Sequence, residues 1–243
     1  MIDINRYLES FSLHEEELNL FGDNRRTDIH YYQHNGITVP KYYNEYWTAK
    51  QRQGNSIHEI SYRACFKPQL PRFFIELLTK DNEIVYDPFS GRGTTAIEAA
   101  LNGRRFIAND INPLAIILLK PRLKIPQITD ISYRLNEIDF NSGIEPDIDL
   151  KMFYHDKTLI EILSLKEYLK SRKNDNKEDN IDEWIRMVAT NRLTGHSKGF
   201  FSVYTLPPNQ AVSQESQKKI NEKRKQVPEY RNVKDIILNK SKD

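Results

Sequence analysis

The chain has 243 residues, 36 Lys or Arg against 34 Asp or Glu, a formal net charge of +2 and one cysteine, Cys65. That length allows one large domain, or a domain with an appendage, around a sizeable core; a lone cysteine excludes an internal disulfide, and no apolar run is long enough for a membrane span. The scattered histidines lack zinc-ligand spacing and the start MIDINRYLESF does not read as a secretory signal, so a metal-free, cytoplasmic protein is expected; a basic nucleic-acid face has to come from local clustering.

In chain order, residues 1–55 are aromatic, polar and poorly periodic, with His30-Tyr31-Tyr32 and Tyr42-Tyr43-Asn44-Glu45-Tyr46-Trp47. They read as an extended arm with short elements; the rings either pack against the body or stack on unpaired bases. After Pro71, the helical spacing of Phe73, Phe74, Leu77 and Leu78 predicts a helix. Residues 83–86 form a short apolar run ending at Asp87, a buried strand running into a turn. Residues 94–101 predict a helix stopped by Gly103, and residues 105–110 a second strand ending in an acid. Strand, glycine turn, helix and strand together predict a parallel sheet with a right-handed crossover.

A further helix follows Asn112-Pro113 and stops near Pro121. Residues 129–149 read as polar and loop-like, with a helical option in SYRLNEI. Leu159, Ile162, Leu163, Leu165 and Leu169 form the stripe of an amphipathic helix. Residues 173–182 read as a charged linker, 183–193 as a helix, and 195–210 as a glycine-bearing aromatic segment. A polar helical run follows, and the tail offers no obvious core element. The expected organisation is an arm (1–55), a cofactor-binding α/β portion (56–150) and a helical region (151–243) that contacts DNA or a partner.

The informative string is Val85-Tyr86-Asp87-Pro88-Phe89-Ser90-Gly91-Arg92-Gly93-Thr94-Thr95. Glycines let the main chain turn sharply and approach a ligand. The following helix presents free amides and a positive dipole end, so a carboxylate is held without a lysine. Asp110 ends the second strand, 19 residues after Gly91, where an acid accepts from vicinal ribose hydroxyls. An adenosine-containing cofactor suits both ends. Gly91-x-Gly93-x-x-Ala96 also loosely matches the dinucleotide fingerprint, so NAD or FAD competes; a P-loop is excluded because no Gly-Lys-Ser/Thr follows.

The stretch Asp87 to Thr95 closely resembles the S-adenosylmethionine (SAM) motif of the DNA amino-methyltransferases, the cytosine-N4 and adenine-N6 family. Asn109-Asp110-Ile111-Asn112-Pro113 resembles their second cofactor motif, and residues 61–71 resemble the segment that closes over the methionine end. The resemblance is specific over residues 56–123 and weaker through the C-terminal half, and RNA guanine-N2 methyltransferases have a similar turn. It implies a Rossmann-like SAM-dependent methyltransferase sheet, partial here, with a helical C-terminal region. It also implies that Asp87, Phe89, Ser90, Gly91 and Gly93 line the methionine end, that Thr94 and Thr95 face its carboxylate, that Asp110 holds the ribose, that Ile111 lies on the adenine, and that Phe66 and Pro68 cover the cofactor. Arg92 is read as either facing a DNA phosphate or solvated.

The family's chemistry further implies an Asp, Asn or Ser followed by Pro-Pro and an aromatic, which accepts from the target amine and stacks on the flipped base. The one Pro-Pro, Pro207-Pro208, stands between Leu206 and Asn209, which lack both the acceptor and the ring, so it reads as a structural turn. The catalytic residues are therefore unassigned. The expectation is a SAM-binding portion or subunit of a site-specific DNA methyltransferase, inactive alone and completed by a second subunit carrying the catalytic strand. Alternatives are a non-catalytic SAM- or DNA-binding module and an RNA base methyltransferase. The nine Lys and Arg of residues 217–242 and the loop 195–199 are read as solvated surface or phosphate contacts.

Overall fold

The computed structural model of the chain describes residues 3–12, 27–46, 54–62, 65–206 and 212–242. Helix α1 (Ile4–Ser10) begins where the Asp3 carboxylate accepts from the Arg6 amide at 3.2 Å. Strands β1 (Asp28–His34) and β2 (Ile37–Tyr43) pair antiparallel through Asn35-Gly36. Both turn residues have positive φ, 49° and 78°, the two-residue geometry whose twist matches its flanking strands. The arm is thus a hairpin tied to a helix. Thr27 Oγ1 donates to the Leu8 carbonyl at 2.7 Å, Asn44 Nδ2 to the Phe11 carbonyl at 2.8 Å, and the Tyr42 hydroxyl to Asn5 Oδ1 at 3.1 Å. The ring of Phe11 meets Tyr46 at 5.0 Å and Phe73 at 5.8 Å between centroids, which anchors the arm on α2 (Gln69–Leu78).

The central unit follows the predicted order. Strand β3 (Ile84–Asp87) leads through the glycine turn into α3 (Thr94–Leu101), and β4 (Arg105–Ala108) returns parallel to β3 with Ile84 opposite Arg105 and Asp87 opposite Ala108. Helix α3 buries Ala96 and Ile97 against Phe106 and Ala108 of the sheet and against Leu119 of α4 (Leu114–Leu119). Gly93 makes that junction possible. Its φ is +82°, and a Cβ there would sit 2.5 Å from Leu119 Cδ1. Among the described residues the other face of the two strands is uncovered: Ile84, Tyr86 and Ile107 are 51, 60 and 53% exposed.

The remainder is helical: a 3-10 turn (Lys120–Leu123), α5 (Ile128–Glu137), α6 (Asp156–Asn174), α7 (Asn180–Arg192), α8 (Gln214–Arg224) and α9 (Val233–Lys242). One buried apolar cluster runs from Ile60 and Leu118 through Ile131, Leu165 and Ile185 to Ile237. Three sequence expectations are refined or corrected. Of the stretch 129–149 read as loop-like, the helical option at SYRLNEI holds and extends back to residue 128 as α5, with Ile131 and Leu135 buried four apart. The tail read as lacking a core element forms α9, whose Val233 and Ile237 are fully buried. It docks through polar groups on α6: Glu161 accepts from the Val233 amide at 2.9 Å and the Tyr230 hydroxyl at 2.7 Å, and Thr158 Oγ1 donates to the Arg231 carbonyl at 2.9 Å.

The charged linker is also structural. Asp179 caps α7 in a capping box with Asp182, and Asp182 is fully buried between Arg134 and Arg172. Among the described residues, no helix is long and apolar enough to cross a membrane.

Two outcomes follow. Gly93→Ala forces a left-handed alanine into contact with Leu119, and should cost about 2–4 kcal/mol in urea unfolding. Burial opposes the Asp179 charge, but Arg134 and the amides of Asp182 and Ile181 outweigh it and hold the carboxyl below its ordinary value. Its stabilisation is therefore full near neutrality and is lost as pH falls through the lowered value. Asp179→Asn should lower stability at pH 7 and flatten its acid dependence, as read by thermal melts at a series of pH values.

Candidate functional site

The site sits where β3 and β4 end side by side. The backbone ties the two strand ends together: the Asn109 amide donates to the Asp87 carbonyl and the Ser90 amide to the Asn109 carbonyl, each at 2.9 Å. Asp87 Oδ1 accepts from the Phe89 amide at 3.0 Å, which shapes the first half of the turn. Gly91 and Gly93 both have positive φ, 50° and 82°. The turn delivers the chain into α3, whose first-turn amides have no partner within the helix. Thr95 stands half-buried at that end, while Thr94 is buried with its hydroxyl accepting from Arg92 Nε at 3.1 Å.

Asp110 closes the arrangement. Its Oδ2 accepts from the Gly91 amide at 2.7 Å and its Oδ1 from the Asn112 amide at 2.9 Å. The Asn112 amide, then the Gly91 amide, hold its carboxyl below the ordinary carboxylate range, so it is anionic at neutral pH. Each oxygen keeps lone-pair capacity for a further donor. Asp110 therefore orders the turn and remains an acceptor beside it. The glycines, first-turn amides and strand-end acid together fit a group that carries a carboxylate at one end and vicinal hydroxyls at the other.

The flanking side chains differ in exposure. Phe89 is 86% and Ile111 100% exposed, so the apolar side of the crevice has no opposite wall among the described residues. Ser90 is buried under the turn. Phe66 is exposed, whereas Pro68 is buried at the start of α2 beside Gly54, where it acts in packing. The residue that lies on the turn is Tyr62: a Cβ on Gly91 would be 3.1 Å from its ring, and its hydroxyl accepts from Asn112 Nδ2 at 3.4 Å. Tyr62 falls within the closing segment, residues 61–71, but the resemblance assigns it no role.

Arg92 is neither solvated nor free for a phosphate. It is 9% exposed, and its guanidinium donates to the carbonyls of His58 at 2.9 Å and Ile60 at 2.7 Å. Arg122 repeats the device from the 3-10 turn, donating to the carbonyls of Leu118 at 2.7 Å, Ile57 at 3.0 Å and Arg92. Burial, then the nearby Arg92, push the Arg122 guanidinium below its ordinary value. Glu98 of α3 meets His58 Nε2 at 2.6 Å in the same interior. These contacts fasten residues 56–62, and with them Tyr62, over the glycine turn.

In the C-terminal region, Arg231 is committed to the carbonyls of Ser197, Phe200 and Ser202, so it braces the loop 195–199 from within. Arg224 stacks on Tyr204 at 3.7 Å, and Lys234 is bonded to Asn136. Lys218, Lys219, Lys223 and Lys225 remain exposed. Pro207-Pro208-Asn209 lies outside the described residues. A separate cleft of about 230 Å³, lined by Ile57, Trp184, Met187 and Ser241, opens on the side of α7 and α9. Among the described residues, no group of three or more His, Cys, Asp or Glu could hold a metal ion.

Comparison with known proteins identifies the family. A family described as DNA methylase matches residues 9–120, and the D12 class N6 adenine-specific DNA methyltransferase family matches residues 66–242. The chain is 27% identical over 168 residues to the Type II methyltransferase M.MvaI of Kocuria varians, covering 60% of the chain and 36% of that protein. It is 34% identical over 89 residues to the Type II methyltransferase M.PvuII of Proteus hauseri, covering 33% of the chain and 26% of the relative. It is 30% identical over 97 residues to the tRNA (guanine(37)-N(1))-methyltransferase of Encephalitozoon cuniculi, covering 39% and 27%. The matched portions thus take in about a third or less of the relatives' own lengths. No solved structure gives a significant match. With a family match that spans most of the sequence and takes in the glycine turn, the chain belongs to the DNA amino-methyltransferases, in the D12 class N6 adenine-specific DNA methyltransferase family.

Proposed function

We propose that this chain is the SAM-binding portion of a site-specific DNA methyltransferase that modifies an exocyclic base amine, adenine N6 or cytosine N4. The observation that carries the reading is the convergence of Gly91, Gly93 and Asp110 at the ends of two adjacent parallel strands, beneath Tyr62. In this reading β3, α3 and β4 are the core of a Rossmann-like sheet within residues 56–150, preceded by the arm (1–55) and followed by the helical region (151–243). SAM supplies an electrophilic methyl group when bound. The first-turn amides of α3 and Thr95 hold its carboxylate, and Asp110 accepts from the ribose hydroxyls with its remaining lone pairs. Ile111 and Phe89 offer apolar surface to the adenine and sulfonium, while Tyr62 and Phe66 exclude water from the methionine end. The cytoplasm is the compartment in which such an enzyme meets DNA.

We further propose that methyl transfer requires a second polypeptide. No Asp, Asn or Ser followed by Pro-Pro-aromatic occurs in the sequence. The bare face of β3 and β4 and the open wall at Ile111 are surfaces that a catalytic strand and its helices would cover, since parallel sheets are buried on both faces. RNA is the second reading, favoured by the similarity to a tRNA methyltransferase.

Calorimetry should detect SAM binding and no NAD binding, and Asp110→Ala should weaken SAM by about tenfold or more, the scale of a lost charged hydrogen bond. Because the Asp110 carboxyl is held below its ordinary value, SAM affinity should persist as pH falls toward 5. Transfer of tritiated methyl to duplex DNA should be absent with this chain alone and appear on addition of a polypeptide carrying the missing motif. Methylation by the chain alone would overturn the two-part reading, and methylation of tRNA in place of duplex would move the substrate to RNA.

A further inference from the structure

The cleft beside α7 and α9 shares a wall with the segment that carries Tyr62. Residues 55–57, 59 and 60 form one side of it, and Trp184, Met187 and Val188 of α7 form another. Met187 and Val188 are buried, and the Trp184 indole is fixed by its Nε1 donating to Ser241 Oγ of α9 at 3.0 Å. That sets an aromatic ring at the wall in a defined position. An apolar cavity of roughly 150 Å³ takes benzene. The cleft, at about 230 Å³, therefore admits a two-ring aromatic body.

The charge at the wall is one-sided. Among the described residues that line it, Arg122, Arg192 and Lys240 are cations and Glu59 is the acid. Glu59 meets Lys240 at 3.2 Å with its side chain 65% exposed, so it acts from the solvent side. Arg122 is 3% exposed, and its bonds to the carbonyls of Leu118, Ile57 and Arg92 use three of the five N–H groups of a guanidinium. Carbonyls satisfy donors without supplying a counter-charge. Arg92, close by and also buried, is likewise bonded to carbonyls and to the Thr94 hydroxyl, and to no carboxylate among the described residues. A carboxylate brought into the cleft meets positive charge at reduced dielectric. An apolar body with one charged group is also the kind of ligand that a mostly apolar pocket with a few polar groups selects. An extended polyanion exceeds its volume.

The same wall reaches the glycine turn. The carbonyls of His58 and Ile60 accept from Arg92, which stands between Gly91 and Gly93. Asn191, at the wall of the cleft, donates from Nδ2 to the Ser61 carbonyl at 3.2 Å, and Tyr62 follows. A ligand that bridges residues 55–60 to α7 ties this irregular segment to the helical body. Whatever Tyr62 covers then binds to a segment already ordered.

We infer that this cleft is an effector site for a small aromatic carboxylate, whose occupancy fixes residues 56–62 and so strengthens binding at the glycine turn. The coupling rests on SAM being the ligand of the turn; the site itself does not.

The test is calorimetry of the full chain with naphthoate and with its uncharged analogue naphthamide. Naphthoate should bind about tenfold tighter, the scale of one charge-assisted contact. Ile125→Glu, which sets an acid at an exposed lining position, should weaken naphthoate about tenfold, and Glu59→Gln should tighten it severalfold. Naphthamide affinity should change little in either. Both positions are exposed, so thermal melting and SAM affinity without naphthoate should match the unmodified chain. Amide exchange of residues 56–62 should slow with naphthoate. SAM affinity should rise about fivefold at saturating naphthoate, and SAM should raise naphthoate affinity by the same factor.

No saturable naphthoate binding, equal binding of naphthamide, or indifference of naphthoate to both variants would each overturn the site. Unchanged SAM affinity at saturating naphthoate would overturn its effector role. Self-association that Ile125→Glu abolishes, in a chain that does not bind naphthoate, would give the cleft to a second copy. Naphthoate binding that slows exchange at residues 56–62 in a chain that ignores SAM would leave the site standing and remove the cofactor reading.

Discussion

The site depends on the Arg92 guanidinium buried beneath it. Arg92 finds main-chain carbonyls at His58 and Ile60 as acceptors, and Arg122 does the same at Ile57, Leu118 and Arg92 itself. A charge taken out of water is tolerable only when its donors are met, and here the backbone meets them. The consequence is positional. Residues 56–62 have little regular structure, one 3-10 turn at Ser56–His58, yet they are held against α3, and Tyr62 is fixed over Gly91. Glu98, paired with His58 in the same interior, offsets part of the positive charge. The turn and the segment above it therefore form one unit.

Much of this was legible in the sequence where local rules are strong. The apolar run of 84–86, the glycines at 91 and 93 and the acid at 110 each have a local stereochemical reason, and the elements lie where those reasons put them. What escaped was polar. Arg92 could not be distinguished from a surface arginine because its acceptors, the carbonyls of residues 58 and 60, lie more than thirty positions away and leave no side-chain signature. Helix α9 is short, and its docking uses Glu161 and Thr158, which lie outside the apolar stripe read for α6. Asp182 looked like part of a solvated charge run because its partners, Arg134 and Arg172, flank it from other helices. The hairpin had a readable cue in Asn35-Gly36, the residues that favour two positive φ values in succession, masked by the irregular aromatic pattern around it.

The distribution of exposed apolar groups gives the molecule a direction. One face of the β3–β4 pair packs on α3, and the other presents Ile84, Tyr86 and Ile107 to solvent. Phe89 and Ile111 extend the same exposure to the mouth of the turn. A two-stranded parallel sheet with one bare face is poorly covered by the rule that governs such sheets. The proposed function, a cofactor-binding portion completed by further structure, is consistent with both features.

The most direct test of the central claim is a crystal structure of the chain soaked with SAM. The account predicts the methionyl carboxylate over the first turn of α3, the ribose hydroxyls on Asp110 and the Tyr62 ring over the methionine end. SAM in the Trp184-lined cleft beside α7, or Asp110 turned away from a bound ribose, would contradict it.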